Sequence, residues 1–356
     1  MNISDIEMIV ELLKLAKISS LSPEDEEKPA EIKDLNGVNF SLPTNMDDMI
    51  PIVSVDGSYS FLFSFLGAET WIVLFRIAVT EYMFEMNDDK MYYNMHSPPK
   101  VYDHLNLISF NESVLAAQPE VYSNVASVAE RFQERKAQIF ASNIMTYLED
   151  KALEEISESE NNCILLKDGA LLTFKALKRE DIYKNILLNC RMNDIMFAGI
   201  SKSTSTHLFG NVLTDDYFLK TFYETKYPDL TYIYIPKSII EKQTKFDVWG
   251  EVHFAKLHKE ASKWFRVDIG HDNGDKNKLF SSLGAYSLVQ LLPGYPIGLI
   301  EAHKLAKSVR DLKESYELEL LESLKNLNLK PQDILDGTVD MDGRQFNSFH
   351  EILDKL

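Results

Sequence analysis

Cysteine is nearly absent: the chain of 356 residues holds two, Cys163 and Cys190. Each flanks an apolar run, and the spacing makes neither a disulfide framework nor a zinc site, so a reducing, cytoplasmic setting is expected. Surplus positive charge is also lacking. Lys and Arg total 37 against 55 Asp and Glu, a formal charge of −18, which excludes a broadly basic face for nucleic acid. No apolar run approaches the ~20 residues needed to cross a bilayer. No segment joins a basic flank, an apolar core and a small-residue cleavage site, and a soluble chain is expected. There is no internal repeat or low-complexity tract, and the length suffices for one large core or two.

What the sequence does hold is an apolar run ending in a carboxylate, twice. In Ile52-Val53-Ser54-Val55-Asp56-Gly57-Ser58-Tyr59-Ser60, a buried Val/Ile strand tolerates no charge within it. Asp56 is therefore expected at the strand end, with Gly57 bending the chain and Ser58 and Ser60 free to bond the turn or a ligand. Ile164-Leu165-Leu166-Lys167-Asp168-Gly169 repeats the pattern. If the two strands are neighbours in one sheet, Asp56 and Asp168 lie side by side, and their repulsion calls for a cation. Hard oxygen ligands suit Mg²⁺ or Mn²⁺. A plain Asp-Gly turn is the alternative at either position.

Along the chain, apolar spacing predicts an amphipathic helix over residues 3–17, followed by an exposed, charged linker over 22–33. Residues 58–65 and 70–80 read as second and third strands of an antiparallel meander, and 101–110 as a further extended segment. A helical pattern runs from 111 to about 159. Glu149 falls within its apolar face, while Asp150 and Glu154 are placed on the more solvated side with Lys151; Glu154 is the competitor to Glu149. A helix over 179–191 precedes a strand, 196–201, that ends at Lys202, a surface lysine or a phosphate contact. Segments 246–256 and 263–269 read as a strand pair containing Arg266, an ion-pair residue or a phosphate contact, and His271 sits in a polar turn. Pro296 can open a helix, with Tyr295 at its start and His303 on its inward face. A charged helix over 312–326 and an appended tail helix complete the chain. The expected division is an N-terminal helix and linker (1–48), a central domain (49–311) with a helical insertion at about 111–160, and a C-terminal helical extension (312–356).

Val55-Asp56-Gly57-Ser58, Leu166-Lys167-Asp168-Gly169-Ala170-Leu171, Gly199-Ile200-Ser201-Lys202, Gly294-Tyr295-Pro296 and Glu301-Ala302-His303 together resemble the NurA family of prokaryotic DNA-end-processing nucleases, over residues 52–309. The resemblance implies an α/β fold with a ribonuclease H-like core. It further implies a Mn²⁺-dependent deoxyribonuclease, with Mg²⁺ as substitute and a pair of ions bound. The implied activities are endonuclease on single strands and exonuclease from the 5′ to the 3′ end of single- and double-stranded DNA. They would serve end resection in double-strand-break repair and homologous recombination, performed by a homodimer with the hexameric HerA translocase. The family's catalytic set falls on Asp56, Glu149, Asp168, Tyr295 and His303, all but Tyr295 as metal ligands.

The residues alone point the same way: a meander, a helix, a further strand and then helix–strand alternation make an α/β pattern with a mixed sheet. Tyr295 is expected to position a phosphate or stack on a base, since a phenol titrates near ~10. Ser58, Lys202 and Arg266 are the expected DNA contacts, in a groove binding weakly enough that the translocase supplies processive engagement. Two rivals stand beside this reading. An actin-like or sugar-kinase-type phosphotransferase would need a glycine-rich phosphate loop in each half, and only the two Asp-Gly pairs are found. A non-catalytic adaptor of a translocase would use its carboxylates for structure.

Overall fold

The computed structural model describes residues 35–45, 49–65, 70–87, 90–109, 136–174, 179–202, 208, 214–241, 246–270, 275–288 and 292–328. The expected N-terminal helix and linker, most of the insertion before residue 136, the turn at His271 and the tail helix lie outside these residues.

The strands are β1 (Gly37–Asn39), β2 (Ile52–Phe65), β3 (Thr70–Asn87), β4 (Lys90–Met95), β5 (Lys100–Ser109), β6 (Ile164–Asp168), β7 (Leu172–Phe174), β8 (Met196–Ser201), β9 (Thr231–Tyr234), β10 (Phe246–Val248), β11 (Glu251–Lys256) and β12 (Phe265–Ile269). The helices are α1 (Lys136–Ser159), α2 (Glu180–Met192), α3 (Asp215–Tyr223), α4 (Lys237–Glu241), α5 (Lys276–Tyr286), α6 (Ile297–Lys307) and α7 (Lys313–Asn326). A ten-stranded sheet runs β4-β3-β2-β6-β8-β12-β11-β9-β1, with β5 also on β3, and β7 pairs β10 separately. Strands β2, β6 and β8 are parallel to one another, while β3 and β4 are antiparallel additions on one side and β12, β11, β9 and β1 on the other. The part β4-β3-β2-β6-β8 is the ribonuclease H-like core, a mixed sheet flanked by helices as expected.

Two sequence readings change. The chain does not turn at Asp56: residues 52–65 form one strand held by β3 from Ile52↔Tyr82 to Phe65↔Thr70. The meander is therefore β2-β3-β4. The segment read as one strand over 246–256 is split, because β10 leaves to pair with β7 while β11 pairs β12.

Strand alternation decides what each side chain meets. Val53, Val55 and Leu165 pack with Leu148 and Leu153 of α1. Ile52, Ile164 and Leu166 pack instead with Leu299 and Ile300 of α6. Thr80 of β3 donates to the Gly298 carbonyl at 2.9 Å, seating α6 on that second face. By the same parity Asp56 and Asp168 face α6, and Lys167 faces α1.

Candidate metal centre

The parallel register puts Val55 opposite Lys167, so Asp56 and Asp168 follow side by side. Asp168 ends β6, and Gly169 makes the turn with φ +116°, a conformation that favours glycine. At Asp56 the glycine serves another purpose. A Cβ on Gly57 would stand 2.7 Å from Glu149 Oε1, so its bare backbone makes room for a carboxylate arriving from α1.

From α6, His303 Nδ1 comes within 2.7 Å of Asp56 Oδ2. Asp56, Asp168 and His303 each offer a ligand atom, and these atoms lie within 4.8 Å of one another. Tyr295, which is buried, donates its hydroxyl to Asp168 Oδ1 at 2.9 Å. Lys202 Nζ bonds Asp168 Oδ2, lies 3.9 Å from Asp56 Oδ2, and sits 5.5 Å from the centre of the Tyr295 ring. Four of the expected residues, Asp56, Asp168, Tyr295 and His303, thus meet in space, with Lys202 among them.

Glu149 approaches from the opposite face of the sheet and is not one of the three clustered ligands. It is buried, with Lys167 Nζ at 3.5 Å. Its neighbour Asp150 is a correction: expected on the solvated side, it has no exposure. Its carboxylate accepts from Lys167 Nζ, from Arg179 Nη1 at 2.9 Å and from Tyr183 Oη at 3.1 Å. Glu154 is also buried rather than solvated, held by Lys151 and Asn185 at 2.7 Å each. It has no contact with the cluster.

Ser58 is two residues past Asp56 in β2, half-buried in a strand rather than in a turn. Arg266 is 2 % exposed and forks onto Asp268, with Nε at 2.7 Å and Nη2 at 3.0 Å. It is an internal ion pair, and its expected place in a DNA groove is withdrawn. Sequence reading missed Lys167, Asp150 and Arg179 as one buried network. The available signal was Lys167 itself, a lysine between Leu166 and Asp168 in an otherwise apolar strand, which needs a buried partner.

The charges here are costly. Burial pushes the Asp168 carboxyl up to about 6, helped by repulsion from Asp56 and opposed by Lys202 and the Tyr295 hydrogen bond. Burial pushes Glu149 up to about 8; Lys167 opposes this, while Asp56, Asp150 and Asp168 reinforce it. Lys167 itself is raised because Asp150 and Glu149 outweigh its desolvation. The two directions agree physically: the lysine's charge is committed mainly to Asp150, which leaves Glu149 in surplus negative field. The Tyr295 phenol is driven well above its ordinary value by burial and by Asp168, so it donates a hydrogen bond and does not serve as a base.

No family model matches the chain, and no curated protein matches it by sequence. Among solved structures, the crystal structure of the NurA nuclease from Sulfolobus solfataricus aligns over 91% of this chain and 98% of its own, with a TM-score of 0.51 at 13% identity. The fold is that of NurA. A NurA structure bound to dAMP and manganese aligns over 85% of this chain and 92% of its own, with a TM-score of 0.41 at 11% identity. The A. aeolicus Argonaute aligns over 74% of this chain and 28% of its own, with a TM-score of 0.27 at 8% identity.

Within this NurA fold, Asp56, Asp168 and His303 give a donor set of two carboxylates and one imidazole. Hard oxygens with a single nitrogen fit Mn²⁺ or Mg²⁺, and the absence of a clustered thiolate argues against softer metals among the described residues. The fit also answers the repulsion between the two aspartates, to which the single charge of Lys202 lies close.

Proposed function

We propose that the chain is a metal-dependent deoxyribonuclease that hydrolyses phosphodiester bonds at the Asp56, Asp168 and His303 cluster. The observation that carries this is the convergence of those three side chains, from β2, β6 and α6, to within 4.8 Å. Asp56 and Asp168 would hold Mn²⁺, with Mg²⁺ as substitute, and His303 would complete the set. Bound there, the metal would supply charge for the phosphate oxygens and an acidified water. Tyr295 fixes the Asp168 carboxylate through its hydroxyl, an orienting bond of the kind that ligating carboxylates need. Lys202, partly exposed, can turn from Asp168 to an incoming phosphate. The His303 side chain is 46% exposed, and the ring nitrogen not held at Asp56 would be the one to take or give a proton.

Glu149, buried beside Gly57, is part of the proposal as the carboxylate that would be available to a second cation. Action on single-stranded DNA and duplex ends, a homodimer, and work beside a HerA-type hexameric ATPase in end resection belong to the same reading, supported by the shared fold and the motifs quoted above. A Mn²⁺-dependent cleavage assay on end-labelled single-stranded DNA, with Asp56→Asn and Asp168→Asn alongside, tests it. Cleavage in the parent and none in either variant is expected. Equal cleavage in all, or none in the parent with Mn²⁺ bound, would overturn it and favour the adaptor reading.

A further inference from the structure

Strand β6 pairs β2 only as far as Val55↔Lys167, whereas β2 runs on to Phe65. Past Asp56, therefore, no described strand covers the β6 side of β2, and residues 57–60 are all partly exposed. This open edge begins at the metal cluster. Helices wall it on both faces: α1 on one, where Tyr59 Oη reaches the Gln138 carbonyl at 3.4 Å, and α6 with its continuation on the other. His303, Lys307 and Arg310 are spaced i, i+4, i+7 and share one side of that second wall. Lys307 and Arg310 are exposed, and the Arg310 charge is felt at Tyr59, where it opposes the effect of burial on the phenol. Arg76, also nearby, is already committed to Asp103 through Nε at 2.7 Å.

The geometry points to this edge as the seat of a single DNA strand leaving the cleavage site, with Lys307 and Arg310 binding its phosphates. Two reasons favour such an occupant. The groove is continuous with the cluster, since residues 57–60 carry β2 straight on from Asp56. In a chain of net charge −18, two cations without an ion pair among the described residues, aligned with His303, are a local exception whose natural complement is a phosphate backbone. This inference rests on the nuclease reading and adds the path of the substrate.

The test uses the full chain, its Lys307→Ala/Arg310→Ala double variant, and Lys184→Ala as a control for loss of an exposed lysine elsewhere. Cleavage of a fluorescein-labelled oligothymidylate is followed with Mn²⁺, and binding by anisotropy with Ca²⁺, across a salt series. Losing two single-strand phosphate contacts should lower the salt slope by ~1.4 and weaken binding ~25-fold near ~0.1 M salt. KM should rise accordingly with kcat unchanged. If the double variant matches Lys184→Ala in KM and salt slope, the groove is refuted while the nuclease reading stands. If the parent binds oligothymidylate with a slope that the double variant loses, but cleaves nothing, the groove stands and the nuclease reading falls.

Discussion

Replacing Asp150 by Asn should cost more than any substitution of an exposed acid, although the change nearly conserves volume. Asp150 is fully buried and accepts from Lys167, Arg179 and Tyr183. Asparagine leaves two cations, Lys167 and Arg179, at 3 % and 5 % exposure. Removing one partner from a buried ion pair costs about 3–5 kcal/mol. Glu149, 3.5 Å from Lys167 Nζ, recovers part of this, because a lysine freed of Asp150 draws the glutamate into its ionised form. The net loss should therefore sit near about 3 kcal/mol, or a fall in Tm of roughly 6–12 °C. Glu149→Gln alone should cost little at neutral pH, since burial already favours the protonated acid. Differential scanning fluorimetry without added metal measures both singles and the Asp150→Asn/Glu149→Gln double. The double should melt well below the sum of the singles, because the substitute counter-ion is gone. A shift under about 2 °C for Asp150→Asn, or strict additivity in the double, would mean that the network does not share charge in this way.

Three further outcomes are expected. Folding raises Asp168 to about 6 and Glu149 to about 8; both folded values exceed the unfolded ones, so their stabilising protonation is present at low pH and lost as pH rises towards about 8. Mn²⁺ binding, which displaces those protons, should tighten from pH ~6 to ~8, and titration calorimetry in two buffers of different ionisation enthalpy should register proton release; affinity independent of pH would contradict this. Asp56→Asn should leave Tm without metal unchanged or higher, by ending the repulsion of Asp168, while lowering Mn²⁺ affinity at least ~100-fold, since loss even of a group that only orients a ligand costs ~10–100-fold; a lower Tm with unchanged affinity would count against the cluster. Tyr295→Phe removes the bond to Asp168 and should reduce kcat ~10–100-fold with KM little altered, and unimpaired turnover would show that the hydroxyl does not orient that carboxylate.

Much of the site was legible because it depends on local pattern. Apolar runs ending near Asp56 and Asp168 imply neighbouring strands, and their parallel pairing does bring the carboxylates together. Pro296 precedes α6 as the sequence pattern requires; His303, expected on the inward face, is half-exposed at its edge and still reaches Asp56. What stayed hidden depends on partners distant along the chain. The alternation of 52–61 suits a strand straight through Asp56, and only the matching length of β3 decides that it continues. Gly57 looks like a turn residue and is in fact a gap for Glu149. Asp150 looks solvated on a helical wheel because its partners lie 17, 29 and 33 residues away. Arg266 could have been read correctly, since Asp268 two positions on falls on the same face of a strand.

The Arg266–Asp268 pair has an effect beyond the sheet interior. Asp268 Oδ2 also accepts from the Leu171 backbone N–H at 3.0 Å, and so tethers the loop that follows Asp168 to β12. A residue outside the cluster thus acts as a guy-rope on the segment that carries the Asp168 carboxylate. On the proposed nuclease reading, a mutational scan scored only by cleavage would rank Arg266 beside Asp56 and Asp168, and structural distance alone would give no warning of it.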